Sequence, residues 1–265
     1  MSIHLLIVDP QHDFCDPKGS LSVPGADEDM ARLAGWVRRY GPTIEAVTVT
    51  LDSHRPLDIA HPTWFTDGEG RAPDPFTQID GEDFRTGRWS TRDAAARART
   101  LRYLDALAVR GRYAHTIWPE HCLLGTLGHT VAPELNAALQ DFSRSRPTVV
   151  EYVIKGLDPF TEHFSAIAAE VPDPLAPSTL RNQPLLDRLA QADHLVVAGE
   201  ASSHCVANTV RDIVAMIDDA RRPAMTLLTD AMSPVPGFEN YAEAFLSDMA
   251  AAGVAHRTTE WTPSA

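Results

Sequence analysis

The sequence predicts an α/β fold: a doubly wound, Rossmann-like, mainly parallel sheet of about six strands with helices on both faces. Three observations predict it. Short runs of β-branched and aliphatic residues recur along the 265-residue chain. These runs are mostly continuous rather than alternating, as in strands covered on both sides. Longer segments with helical apolar spacing lie between them, so strand and helix take turns.

The strand runs are IHLLIVD (3–9), EAVTVTLD (45–52), YAHTIW (113–118), TVVEYVI (148–154), HLVVAG (194–199) and AMTLLTD (224–230). The helical segments are 27–40, 91–111, 133–145, 184–192, 204–220 and 240–253, with the helix near the second half of GEASSHCVANTVRD spanning 205–220. Gly111 and Gly253 stand where helices stop, and Pro133 stands where one starts. The stretch 55–91 has no clear period and is rich in Pro, Gly, Asp and aromatics; its aromatics predict an ordered, lid-like insertion over about 62–112. A second extended connection covers 170–184. No linker divides the chain, so residues 1–265 read as a single domain.

Composition excludes several classes of partner. The net charge is −13 and no Lys/Arg block occurs, whereas nucleic acid and anionic membranes need clustered positive charge. No stretch approaches the roughly 20 apolar residues of a membrane span. The start MSIHLLIVDPQHDF reads as a buried strand and not a signal peptide. Cys15, Cys122 and Cys205 lie far apart without CxxC spacing, which fits free thiols in a reducing compartment. The expectation is a cytoplasmic protein with a small-molecule ligand.

Ionisable residues gather where strands end, which is where open parallel sheets bind ligands. Asp9 follows the first run, Asp52 and His54 the second, His121 the third and Lys155 the fourth; Cys205 lies just beyond the fifth. Asp52 and His54 are two residues apart and so share a side of an extended segment. With His121 and, as a further candidate, His61, they offer O/N ligands for Zn, with Fe or Mn as alternatives. Only two of the 23 basic residues are lysines. Placing one of them, Lys155, inside EYVIKG suggests a need for a compact ammonium. Asp9, Lys155 and Cys205 together suggest nucleophilic catalysis, with Cys205 at a helix N-terminus.

The ordered motifs LLIVDPQHDFCDPKGSLSVPGADE, TLDSH, IWPEHC, VIKG and GEASSHCVANTVRD resemble the isochorismatase-like cysteine hydrolases, and within them the metal-dependent nicotinamidases. The resemblance covers most of the chain. It implies that Cys205 attacks a carboxamide carbon, that Asp9 moves the proton, and that Lys155 orders the pair. It also implies an oxyanion hole from the N–H groups of Ala201 and Cys205 beside a cis Glu200–Ala201 bond, one divalent metal ion on the ligands above, and a homo-oligomer. Phe14 and Trp118 occupy the ring-binding positions, with Trp64 an additional candidate. The implied activity is hydrolysis of nicotinamide to nicotinate and ammonia in NAD salvage. Another amide or carbamoyl hydrolase of the superfamily is the alternative, and a non-catalytic ligand-binding relative a third reading. Three features depart from the family pattern: Glu200, Ser202 and Ser203 replace an aliphatic residue, Thr and Asp; 59 residues separate His61 from His121; and the His54–His61 spacing is one residue long.

Overall fold

The computed structural model describes residues 2–146 and 149–263. Six strands form one sheet: β1 (Ile3–Val8), β2 (Ile44–Asp52), β3 (Val150–Lys155), β4 (His194–Gly199), β5 (Ala224–Leu228) and β6 (Ala255–Arg257). Their order is β3-β2-β1-β4-β5-β6, and every neighbouring pair is parallel. Thr148, read from the sequence as part of a strand, lies outside the described residues.

Burial explains the continuous apolar runs. Along β1, Ile3, Leu5 and Ile7 enter one core while Leu6 and Val8 enter the other. The first core is closed by α1 (Ala26–Tyr40) and α2 (Pro133–Ser145), through Met30, Leu33, Trp36, Val37, Leu135 and Phe142. The second is closed by α3 (Gln183–Leu189), α4 (Cys205–Met216) and α5 (Glu239–Ala251), through Leu186, Val210 and Phe245 among others. A sheet buried on both faces leaves its strand ends as the place for polar groups.

Two strand readings are corrected. Residues 113–118 form no strand of the sheet. His115 and Ile117 pair instead with residues 76–79, with Ile117 N–H donating to Thr77 O (2.9 Å) and Ile79 N–H to His115 O (3.0 Å). The sixth strand is Ala255–Arg257, whose three residues are too short to give a pattern. The helix predicted to reach 220 stops at Met216.

Residues 62–112, expected as an insertion, fold around a third apolar cluster that includes Trp64, Phe65, Phe84, Leu104 and Leu107. They contain a two-stranded ribbon (Phe65–Thr66 with Ser90–Thr91), a short helix (Gly81–Thr86) and a longer one (Arg97–Arg110). Asp80 caps the short helix, its carboxylate accepting from the N–H groups of Glu82 and Asp83 at 2.9 Å each.

Candidate active site

β1 and β4 lie side by side where the strand order changes direction, and the cleft opens at their carboxyl ends. Gly199 makes this junction possible. Its φ is +114°, and a Cβ there would lie 2.0 Å from Val8 O. The next residue, Glu200, donates its N–H to that carbonyl at 2.7 Å. The Glu200–Ala201 peptide bond is cis.

Lys155, at the end of β3, is the centre of one cluster. Its Nζ lies 2.9 Å from Asp9 Oδ2, 2.9 Å from Asp52 Oδ1, 2.8 Å from the carbonyl of His163 and 3.6 Å from Cys205 Sγ. All four side chains are buried. Burial opposes the Lys155 charge, but Asp52 and Asp9 outweigh it and hold the ammonium well above the ordinary lysine value. Burial pushes the Asp9 carboxyl up, against the pull of Lys155. The Cys205 thiol is raised by burial in the same way, while Lys155 pulls it down. The Asp9 charge adds to the rise of the thiol. Thr50 fixes Asp9: its hydroxyl donates to Oδ1 at 2.5 Å and accepts the Asp9 N–H at 3.0 Å.

A second cluster shares Asp52. Its Oδ2 lies 3.1 Å from His54 Nε2 and 3.5 Å from His121 Nε2. Ligand atoms of His54, His61 and His121 lie within 4.8 Å of one another, so the structure brings His61 into the group. Each ring has its Nδ1 beside an acceptor: Asp58 for His54 (3.2 Å), Arg55 O for His61 (3.3 Å) and Pro119 O for His121 (2.8 Å). The Nε2 atoms of His54 and His121 face Asp52 and that of His61 lies 3.4 Å from His121 Nδ1; such acceptors behind the rings are what orients metal-bound histidines. Burial would lower the His54 pKa, yet Asp52 and Asp58 raise it well above the ordinary value. The field at this point therefore favours positive charge. Three imidazoles and a carboxylate suit a divalent ion such as zinc.

The cleft beside both clusters is lined by Phe14, Leu21, Trp118, Phe164 and Val235, with Asp52, His121, Glu162, Ala201, His204 and Cys205. Neither Ala201 N–H nor Cys205 N–H has an acceptor among the described residues. Cys205 begins α4, whose N-terminal end favours negative charge. Phe14 and Trp118 are therefore placed on the cleft, but Trp64 is not. Its indole N–H donates to Thr100 (3.1 Å) and its ring meets Phe160 edge-on, so it belongs to the core of the insertion. Residues 62–112, expected as a lid, supply none of the lining residues. They back Trp118 from outside through Phe76, at 5.9 Å between ring centroids.

Four site residues escaped the sequence reading. The Gln11 amide clamps the Asp52 backbone from both sides, donating to its carbonyl (2.8 Å) and accepting its N–H (2.7 Å). Asp13 accepts from Cys122 N–H (2.7 Å), which fixes the loop next to His121. Asp58 holds His54. Glu162 accepts from Trp118 Nε1 (3.1 Å), and burial pushes its carboxyl up to about 8. The polar run PQHDF was a visible signal for Gln11 and Asp13; nothing in the local pattern pointed to Glu162.

No protein-family model and no curated protein matches the sequence. Solved structures do. A nicotinamidase/pyrazinamidase from Acinetobacter baumanii is 21% identical with a TM-score of 0.65, covering 97% of this chain and 96% of its own. The yeast nicotinamidase bound to the inhibitor nicotinaldehyde is 18% identical with a TM-score of 0.66, covering 97% and 99%. The chain has the fold of these hydrolases. A pyrazinamidase of Pyrococcus horikoshii in complex with zinc is similar as well, at 17% identity and a TM-score of 0.56, covering 97% and 98%. The fold expected from the sequence is thus the one observed. No helix among the described residues is long and apolar enough to cross a membrane.

Proposed function

We propose that the protein is a metal-dependent cysteine amidohydrolase that converts nicotinamide to nicotinate and ammonia. The observation that carries this reading is the Lys155 ammonium, which touches two carboxylates and the cleft-facing thiol at once. A thiol raised by burial needs a base before it can attack, and Asp9 is that base. Cys205 Sγ bonds to the carboxamide carbon as Asp9 takes its proton, and Lys155 balances the charge of the pair. The carbonyl oxygen becomes an oxyanion facing the free N–H groups of Ala201 and Cys205. Asp9 then returns the proton to the departing nitrogen, the C–N bond breaks, ammonia leaves and a thioester remains. A water molecule, deprotonated by Asp9, attacks the thioester and releases the acid, and the proton returns to sulfur.

Asp52, His54, His61 and His121 would hold the ion. Bound there, it supplies a Lewis-acid anchor for the ring nitrogen of a heteroaromatic amide, directly or through water. Phe14 and Trp118, which both line the cleft, are the residues proposed to hold that ring. The reading is tested by ammonia release from zinc-loaded protein over nicotinamide, pyrazinamide and N-carbamoyl compounds. Turnover of nicotinamide that disappears in Cys205→Ala supports it. Absence of nicotinamide turnover by metal-loaded protein removes it, and turnover of carbamoyl compounds alone moves the protein to another branch of the same chemistry.

A further inference from the structure

Glu200 stands where the resemblance leads one to expect an aliphatic residue, and it is fully buried at the end of β4. Its Oε2 accepts the Ser233 N–H at 3.0 Å. Its Oε1 is buried with no hydrogen-bond partner among the described residues. Through the same serine Glu200 is linked to the Asp29 carboxylate of α1, which is 2% exposed. Asp29 already accepts from Ser233 Oγ (2.6 Å, on Oδ2) and Arg32 (2.5 Å, on Oδ1). Arg32 is shared in turn with Glu28 and the Asp230 carbonyl. Two buried carboxylates meeting over one serine repel each other if both are ionised. A proton on Oε1 removes that repulsion and turns an orphaned acceptor into a donor.

We propose that Glu200 is held as the neutral acid, donates from Oε1 to Asp29, and so acts as a positioning residue for the 200–204 loop that leads into Cys205. The lacing around it fits that role. Gly199 N–H donates to Ala231 O and Ser202 N–H to Ser233 O, each at 2.9 Å, so the loop rests on the 231–233 segment. Glu200 and Asp29 clamp that segment to α1 through Ser233. Burial and then Asp29 push the Glu200 carboxyl well above its ordinary value, with the Ser233 N–H and Arg32 pulling the other way. On the side of the 12–15 turn the group nearby is the Cys15 thiol, itself raised by burial and by these acids. The Asp230 carboxylate is occupied by Thr259. The catalytic consequence of the loop position rests on the amidohydrolase reading; the shared proton does not.

The test is urea unfolding of the full chain between pH 5 and 7.5 for wild type, Glu200→Gln and Glu200→Leu. The native state keeps a proton that the unfolded chain loses above the ordinary glutamate pKa of about 4.3. Wild-type stability from this group is therefore lost as pH rises towards the native pKa, and neither variant can lose it. The unfolding constant of wild type should grow relative to either variant by about tenfold per pH unit. A flat ratio, or a ratio that moves the other way, overturns the proposal, and Leu serves if Gln does not fold. Positioning is read from the rate at which iodoacetamide alkylates Cys205, resolved from Cys15 and Cys122 by peptide mass. Gln should match wild type within about twofold and Leu should change the rate at least about fivefold, on the tenfold-and-above scale of misplaced catalytic groups. Equal rates in all three overturn the positioning role. A wild type that hydrolyses no amide would sink the reading above while leaving both of these measurements decisive.

Discussion

The two halves of the cleft are built differently, although they share Asp52. The thiol half takes Asp9 from the end of β1, Lys155 from the end of β3 and Cys205 from the start of α4, all on elements packed into the two main cores. The histidine half takes His54, His61 and His121 from irregular backbone. Its geometry depends on side chains that never face the cleft: Gln11 on Asp52, Asp13 on the His121 loop and Asp58 on His54. Groups on strand and helix ends start from a fixed backbone, to which Thr50 on Asp9 and the His163 carbonyl on Lys155 are added. Ligand groups on loops need a further layer of polar contacts to hold them. The two halves should therefore fail differently.

The largest effect belongs to the thiol half. Cys205→Ala should lower amide turnover by at least about 10⁴-fold, as loss of a nucleophile does in a concerted set, while bound zinc per chain stays unchanged. Loss of zinc in that variant, measured by elemental analysis, would mean that the halves are not separable. Asp52→Asn should damage both halves, because one oxygen serves Lys155 and the other faces the histidines.

The pH profile comes next in size. Burial raises Asp9, so the proton that blocks it as a base should bind at a pH above the ordinary aspartate value of about 4. Below that native value kcat/KM should fall about tenfold per pH unit. Zinc content must be measured alongside, since acid also releases metal from histidine. Full activity down to pH 4 at constant zinc would show that Asp9 is not the base.

In the histidine half, Asp58→Asn should weaken zinc binding by about 10–100-fold, the usual cost of losing a carboxylate behind a ligating histidine. Competition against a chromophoric chelator measures it. The alkylation rate of Cys205 should stay within about twofold, because Asp58 makes no contact with the thiol half.

This contrast also sets what could be read from the sequence. Asp9, Lys155 and Cys205 were legible because continuous apolar runs mark strand ends, and ends mark sites. His121 was legible only as a motif, since residues 113–118 that seemed to lead into it as a strand pair with the insertion instead. Trp64 was misread because an aromatic in an aperiodic stretch looks the same whether it faces a cleft or a satellite core. Glu162 was invisible: its partner Trp118 lies 44 residues away, and no local pattern encodes that contact.

Glu162 gives a smaller effect. Glu162→Leu leaves the Trp118 N–H without its acceptor in a buried wall, a loss of about 1–3 kcal/mol at that position. KM for nicotinamide should rise by about three- to tenfold with little change in kcat, and Glu162→Gln should restore most of it. A fall in kcat with unchanged KM would instead assign Glu162 to the reacting groups.

The smallest effect tests whether the insertion is a wall or a moving cover. Its helix Gly81–Thr86 is held by the Asp80 cap and packs Phe84 into a cluster that no cleft residue joins. Removing the cap in Asp80→Ala should cost about 1 kcal/mol of stability, seen as a shift in the urea midpoint. Because residues 62–112 line none of the cleft and meet its wall behind Trp118, through the Phe76 ring and the Thr77 pairing with Ile117, kcat and KM should both stay within about twofold. A KM that moves several-fold with so mild a change would mean that the segment closes over substrate. The histidine half would then depend on motion as well as on its buried partners.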